Sequence, residues 1–299
     1  MVRNLARLAI AGPWRGGIER LTRAIGHRFP TNIAVGRLCH HVGAALIERE
    51  GAEFNRVAVF ESGGSMRCAG EDNVALLCMM YYFTGTITGQ HKDERAIVKL
   101  FRRAIGEGDI FFDIGANVGF YSFFAAPLCG SSGAVHAFEA NPILTSHLLR
   151  SAELNKANAN IIVNPVAVGK EINKTLQLYD PERIGMSSLY QLPWLNAAAT
   201  VSVPITTIDH YRRANGIKRV DVVKIDIEGA ELDAFVGMQE TFDICPPWLI
   251  VCELAPLAAP VGHSVEPKVS GRRRSYQVQI IEFLLRVMSR GTFPKKMDA

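Results

Sequence analysis

The amino-acid sequence predicts an α/β protein built on a doubly wound, mostly parallel sheet, and three observations predict it. Short apolar runs stop at acids: Ile110-Phe111-Phe112-Asp113, Ala134-Val135-His136-Ala137-Phe138-Glu139 and Val222-Val223-Lys224-Ile225-Asp226. Each run leads into a glycine turn or a helix start, the strand-to-helix alternation of βαβ units. Ile110 to Phe112 is apolar on both faces, as in a parallel sheet covered by helices on both sides.

Taken in order, the chain opens on an Arg-rich segment in which Leu5, Leu8, Ile18, Leu21 and Ile25 make an apolar side, interrupted by Pro13, Gly16 and Gly17. The reading adopted is a packing helix with solvated arginines; the alternative is a helix lying on an anionic membrane surface, giving weak peripheral association. The segment lacks the long apolar centre of a secretory signal, although an Arg-rich start poor in acids also suits a transit peptide. Ala34, Leu38, Val42, Ala45 and Leu46 mark a second amphipathic helix. Arg56 to Glu61, the turn Ser62-Gly63-Gly64, and Ser65 to Ala69 read as a hairpin. Residues 1–90 are thus expected to form a helical and β-hairpin appendage. The longest apolar run, Val74 to Phe83, is too short to span a bilayer as a helix.

Asp93 to Ile105 reads as a helix with Ile97, Leu100, Phe101 and Ala104 on one face. The core strands are expected at Ile110 to Asp113, Ala134 to Glu139, Ile161 to Val168, Asp221 to Asp226 and Trp248 to Glu253. Between the third and fourth, Thr175 to Tyr179 and Thr200 to Ile205 alternate like an antiparallel pair, with Gly185-Met186-Ser187-Ser188 in the connecting loop. The cofactor-binding domain is placed at 91–256 and a basic C-terminal tail at 257–299, with Arg272-Arg273-Arg274 and one helix from Tyr276 to Met288. Trp248 to Glu253 is an edge strand, a pairing liability that a homodimer or the tail would relieve.

With 48% hydrophobic and 21% charged residues, the 299-residue chain has the composition of an ordinary soluble enzyme. Its six cysteines show no Cys-x-x-Cys pair or zinc-like spacing, so free thiols in a reducing, cytoplasmic setting are expected; no metal site is assigned, the alternative being a divalent cation held by the oxygens of Asp226. Charge is uneven: residues 1–50 carry +5 and residues 268–299 carry +6, leaving −7 for the middle.

The chemistry sits at the strand ends. Gly115 and Gly119 let the backbone turn where a Cβ would collide, but their Gly-x-x-x-Gly spacing is not the dinucleotide fingerprint. A carboxylate at Asp113 would repel a pyrophosphate and suits the cationic amino acid end of S-adenosylmethionine. Glu139 ends the second strand where a ribose diol is held, and Asn141 and Pro142 start the next helix. Asp226 ends the fourth strand, so all three acids are expected in one crevice.

The series Phe111-Phe112-Asp113-Ile114-Gly115-Ala116-Asn117-Val118-Gly119-Phe120-Tyr121-Ser122, Phe138-Glu139-Ala140-Asn141-Pro142, Thr207-Ile208-Asp209, Lys224-Ile225-Asp226-Ile227-Glu228-Gly229-Ala230-Glu231 and Cys252-Glu253-Leu254 resembles the FkbM family of methyltransferases over roughly residues 90 to 255. The resemblance implies a class I, Rossmann-like methyltransferase fold, S-adenosylmethionine as cofactor, and O-methylation of a sugar, polyketide or other small hydroxylated molecule. The expected cofactor-binding set is Asp113, Gly115, Ala116, Asn117, Gly119, Glu139, Ala140, Val166 and Asp226. Asp226 and Glu228 are the candidate bases, with His91 and His210 as outsiders. Lys224 is placed to tune a carboxylate or bind a substrate oxygen, or else to pair with Asp226 or Glu253. Glu231 and Asp209 read as caps. A non-catalytic cofactor-binding scaffold and a nucleic-acid methyltransferase are the alternatives; for the latter, no Pro-Cys, Asn-Pro-Pro or Asp-Pro-Pro run is present, so a small-molecule or glycan acceptor is expected and nucleic acid is not.

Overall fold

The computed structural model describes residues 2–29, 32–69, 73–85, 92–156, 160–180, 182, 187–191 and 199–253. The expected basic run and helix after Glu253 lie outside them. The chain divides into two compact units, and neither is continuous in sequence.

The first unit comprises residues 1–108, 118–134 and 146–161. It opens with α1 (Val2–Ala11), α2 (Arg15–Arg28) and α3 (Ile33–Glu50), whose N-cap Asn32 accepts from the Ala34 and Val35 amides. The hairpin follows as β1 (Asn55–Val59) and β2 (Ser65–Ala69), paired antiparallel from Asn55↔Ala69 to Val59↔Ser65. The apolar run becomes α4 (Asn73–Thr84), with Val74, Ala75, Met79 and Phe83 fully buried. It is a core helix, and among the described residues no helix is long and apolar enough to cross a membrane. The unit also holds α5 (Lys92–Ala104), α6 (Phe120–Cys129) and most of α7 (Pro142–Asn155). Asn155 fastens the hairpin to α7: its Oδ1 accepts from the Ser65 amide at 3.0 Å and its Nδ2 donates to the Ser65 carbonyl at 2.8 Å. The turn at Gly64 rests on the Phe123 carbonyl so closely that a Cβ would overlap it.

The apolar side expected for the N-terminal helices is corrected here. Leu5, Leu8 and Leu21 are exposed, Ile18 and Ile25 only half-buried, and α2 instead buries Glu19, Thr22 and Gly26. Two contacts explain the inversion. Glu19 is bonded by Arg56 and by the Tyr82 hydroxyl, and Gly26 sits against the Phe83 carbonyl where any Cβ would overlap. Pro13 does separate α1 from α2, whereas Gly16 and Gly17 are absorbed into the first turn of α2.

The second unit comprises residues 109–117, 135–145 and 162–299, and carries the main sheet. Its strands β3 (Ile110–Ile114), β4 (Ala134–Phe138), β5 (Ile161–Asn164), β9 (Val222–Ile225) and β10 (Leu249–Cys252) lie in the order β10-β9-β3-β4-β5. β9 pairs in parallel with β3 and with β10. The order reverses at β3, so the crevice at the carboxyl ends of β3 and its neighbours is where ligands of open α/β sheets bind. Phe111 and Phe112 are fully buried, each contributing about 2–3 kcal/mol of apolar burial from opposite faces of one strand.

The expected strand Ile161 to Val168 is two strands. Pro165 cannot donate to a ladder, and the Val166 amide turns back to the Asn164 carbonyl at 2.9 Å. The chain then leaves the main sheet, and β6 (Ala167–Val168) joins β7 (Lys174–Tyr179) and β8 (Thr200–Thr206) in a separate sheet ordered β6-β8-β7. The antiparallel pair expected there is β7 with β8. Among the described residues the unit also holds short helices α8 (Ile208–Ala214), α9 (Glu231–Val236) and α10 (Gln239–Ile244).

Candidate active site

The crevice is drawn together by backbone bonds at the strand ends of the second unit. The Gly115 and Ala116 amides both donate to the Phe138 carbonyl, at 3.0 and 2.9 Å, so the glycine turn closes on the end of β4. The Asp226 amide donates to the Ile114 carbonyl at 3.0 Å, tying the end of β9 to β3. Gly115 has φ +78°, and a Cβ there would overlap the Asp226 carbonyl oxygen. Gly119, at φ +90°, serves a different purpose: a Cβ would strike the Phe123 and Leu148 side chains, so this glycine seats α6 and does not line the crevice.

Glu139 anchors the turn. Its Oε2 accepts from the Asn117 amide at 2.7 Å and its Oε1 from the Asn141 amide at 2.8 Å. A carboxylate offers about four lone-pair sites, so two stay available to a ligand hydroxyl pair. Burial raises the Glu139 pKa against the pull of these two amides and of Lys224. Asn141 then N-caps α7 through Oδ1, which accepts from the Ile143 amide at 3.0 Å.

Lys224 is the cation of the site. Its Nζ donates to the Gly115 carbonyl at 2.9 Å and lies 3.2 Å from Asp226 Oδ2 and 3.7 Å from Asp113 Oδ1. Burial alone would depress its pKa, but Asp226 and Asp113 outweigh burial and raise it, so the ammonium stays charged. Of the two carboxylates, Asp113 is fully buried and does not line the crevice, whereas Asp226 is a third exposed and does. The expectation that all three strand-end acids face one crevice therefore holds for Glu139 and Asp226.

Glu228 stands next to them at φ +49°, a left-handed conformation uncommon outside glycine. Burial, followed by the charges of Asp226, Glu253 and Glu231, pushes its carboxyl up to about 7. Glu231 is a cap, its Oε1 accepting from the Gly229 amide at 2.9 Å. Asp209 caps α10 through the Glu240 and Thr241 amides. His210 donates its backbone amide to the Thr207 cap, and His91 lies outside the described residues.

Gly115, Asn117, Glu139, Ala140, Val166, Asp226 and Glu228 all line one cavity; Ala116, like Asp113, Gly119 and Lys224, does not. Its wall also includes residues that sequence reasoning missed. Phe138, Leu144 and Leu178 add apolar surface, and Ser188 reaches in from the β7–β8 connection, where its hydroxyl donates to the Glu228 carbonyl at 2.6 Å. Only the serine pair in that loop hinted at this, and nothing in it specified a partner forty residues away.

The cavity suits S-adenosylmethionine. Buried Asn117 Oδ1 has no hydrogen-bond partner among the described residues and offers an acceptor. Asp226 adds negative charge for an ammonium or sulfonium, Glu139 keeps lone pairs for a ribose, and Val166 with Leu144 supplies an apolar slot for an adenine.

Residues 113–286, more than half of the chain, match the Methyltransferase FkbM domain. The chain is 23% identical over 147 residues to the hexuronic acid methyltransferase AglP of Haloferax volcanii, covering 49% of this chain and 57% of that protein. It is 25% identical over 145 residues to Methyltransferase 1 of Beauveria bassiana, covering 43% and 57%. The chain thus spans little more than half the length of these curated relatives. A SAM-dependent methyltransferase from Aquifex aeolicus superposes with a TM-score of 0.32 at 15% identity, over 64% of this chain and 77% of that one. With the family match running from the end of β3 through β10, and a strand order that reverses at the glycine turn, the chain belongs to the FkbM methyltransferase family.

Proposed function

We propose that the protein methylates a hydroxyl oxygen of a saccharide or similar small hydroxylated molecule, with Glu228 as the general base, in the cytoplasm. The observation that carries this reading is the Glu228 carboxyl in the cavity wall, raised to about 7 beside an Asp226 already engaged by Lys224. A base is most effective when its pKa lies near the working pH, and an alcohol must lose a proton as it attacks. The printed name of the Haloferax volcanii relative, a hexuronic acid methyltransferase, supports a glycan acceptor. Six free cysteines support a reducing compartment.

Bound S-adenosylmethionine supplies an electrophilic methyl group on its sulfonium. Glu139 and Asn117 would hold the ribose and amino acid portions. Glu228 would take the hydroxyl proton as the acceptor oxygen bonds to the methyl carbon and that carbon's bond to sulfur breaks, S-adenosylhomocysteine leaving. Lys224 keeps Asp226 and the Gly115 carbonyl in register, so it is a positioning residue. Holding the reactants in line contributes about 7 kcal/mol or more to such a displacement.

The test is transfer of labelled methyl groups to a panel of uronic acid and neutral sugar glycosides, with calorimetry against S-adenosylhomocysteine and NAD. We expect S-adenosylhomocysteine to bind and NAD not to, and kcat/KM to rise with pH through about 7. Glu228→Gln should lower kcat about 100-fold or more and remove that inflection, with cofactor affinity retained. An unchanged inflection in this variant would exclude Glu228 as the base.

A further inference from the structure

Strongly exposed apolar side chains among the described residues are concentrated near the start of the sequence. Among the described residues, seven large apolar side chains are more than half exposed, and six of them (Leu5, Leu8, Trp14, Leu21, Phe29 and Ile33) fall within the first 33 residues. Trp14 is 78% and Leu8 72% exposed. Along α2 and its two caps, exposed Trp14, Leu21 and Phe29 and half-buried Ile18 and Ile25 recur every three or four residues and therefore share one face. The adjacent face, about 100° round the helix, is fixed inward by the Glu19–Arg56 pair and by Gly26 against the Phe83 carbonyl. Rotating α2 to hide the stripe would unpair a buried carboxylate and drive side chains into that carbonyl. The stripe is therefore held outward by the fold, and contiguous apolar surface held outward marks an interaction site.

Charge identifies the occupant. Within residues 1–50 there are eight arginines and three glutamates. All three glutamates are already taken: Glu48 by Arg7, Glu50 by Arg15 and Arg56, and Glu19 by Arg56. Arg20, Arg28 and Arg37 are exposed and have no ion pair among the described residues. A second copy of the chain would bring the same arginines face to face. An anionic lipid surface accepts both parts of this pattern, since apolar side chains enter the headgroup boundary while arginines extend to the phosphates.

We propose that α2, with the exposed leucines of α1, docks the protein on an anionic bilayer, independently of methyl transfer. The full-length protein would be sedimented with phosphatidylserine-containing and with pure phosphatidylcholine vesicles, at low and high salt. Wild type is expected to pellet with the anionic vesicles at low salt, to bind them less at high salt, and to stay in solution with the neutral ones. Leu21→Glu should lower the partition coefficient roughly ten-fold or more, with its thermal melt unchanged because Leu21 is exposed. Ile244→Glu, at the exposed apolar position outside this segment, should partition like wild type. Equal pelleting with both vesicle types, no pelleting, or a Leu21→Glu variant that binds like wild type would overturn the proposal. So would a concentration-dependent dimer, abolished by Leu21→Glu, in a protein that ignores vesicles; that result would assign the face to a second copy.

Discussion

In the first unit Arg56 meets Glu19 and Glu50; in the second Lys224 meets Asp113 and Asp226. The first cluster is closed. Arg56 donates to both oxygens of each glutamate and to the Asn55 carbonyl, so the five donors of a planar guanidinium are matched by acceptors fixed on α2, α3 and β1, and the Tyr82 hydroxyl donates a further bond to Glu19. The second cluster is open. One ammonium faces two carboxylates directly and feels those of Glu139 and Glu228, and the surplus negative charge gathers at a cavity wall. Buried charge that is fully matched specifies a fold, whereas buried charge left in excess beside a cavity marks a place for a cationic ligand and a proton acceptor.

The largest effect should come from opening the closed cluster. Arg56→Met leaves Glu19 buried with only Tyr82, and should cost about 3–5 kcal/mol of stability, read by denaturant unfolding. A loss below about 1 kcal/mol would mean that water reaches Glu19 and that the cluster is not closed.

Glu139→Ala comes next, because this residue belongs to both categories. It should weaken S-adenosylhomocysteine binding by about 2–4 kcal/mol in calorimetry. The Asn117 and Asn141 amides lose their acceptor too, so the melting temperature should also fall. Weakened binding with an unchanged melt would show that those amides find another partner.

The two clusters should also give opposite slopes of stability against pH. Burial raises the pKa of Glu19, but the bonds from Arg56 and Tyr82 outweigh it and lower the folded value below 4.5. Its contribution is then present above that pH and lost as pH falls through the lowered value. Glu228 is raised from 4.5 to about 7, so the folded state binds the extra proton and stability declines as pH rises between those values. Glu19→Gln should flatten the acid limb of a melting-temperature profile and Glu228→Gln the limb between about 4.5 and 7. Matching profiles for the two variants would refute the contrast.

The smallest effect belongs to Asp226→Asn. It removes one repelling charge from Glu228 while keeping shape, so the inflection of kcat/KM should move to lower pH. Transfer should fall about 10- to 100-fold through the weakened methionine end, with stability nearly unchanged. A large loss of melting temperature would instead make Asp226 a structural partner of Lys224.

Much of the second unit was legible because acids that end apolar runs have few structural uses. Glu139 and Asp226 each follow directly on a strand and Asp113 lies one residue before the end of β3, and the hairpin at Gly63-Gly64 followed from its turn chemistry. What could not be read were relations between distant residues. Periodicity found the α2 stripe but cannot say which face is inward; Glu19 and Gly26 decide that through Arg56 and Phe83. Lys224 was visible as a charge in a strand, but its bond to the Gly115 carbonyl joins positions 109 residues apart. The break at Pro165 was passed over because the apolar pattern continues across it into a different sheet.

That change of sheet has a further outcome. From Ala167 to Thr206 the strands pair only with one another, and the stretch enters and leaves through neighbours, with Ala167 opposite Ile205 and Val168 opposite Thr206. An insertion whose two ends already meet can be lengthened, shortened or transplanted while the flanking chain keeps its path. Because it contributes Leu178, Ser188 and Leu189 to the cavity, it is a detachable wall. Grafting the equivalent segment from a relative should retune which acceptor enters, with Asn117, Glu139 and Asp226 left in place.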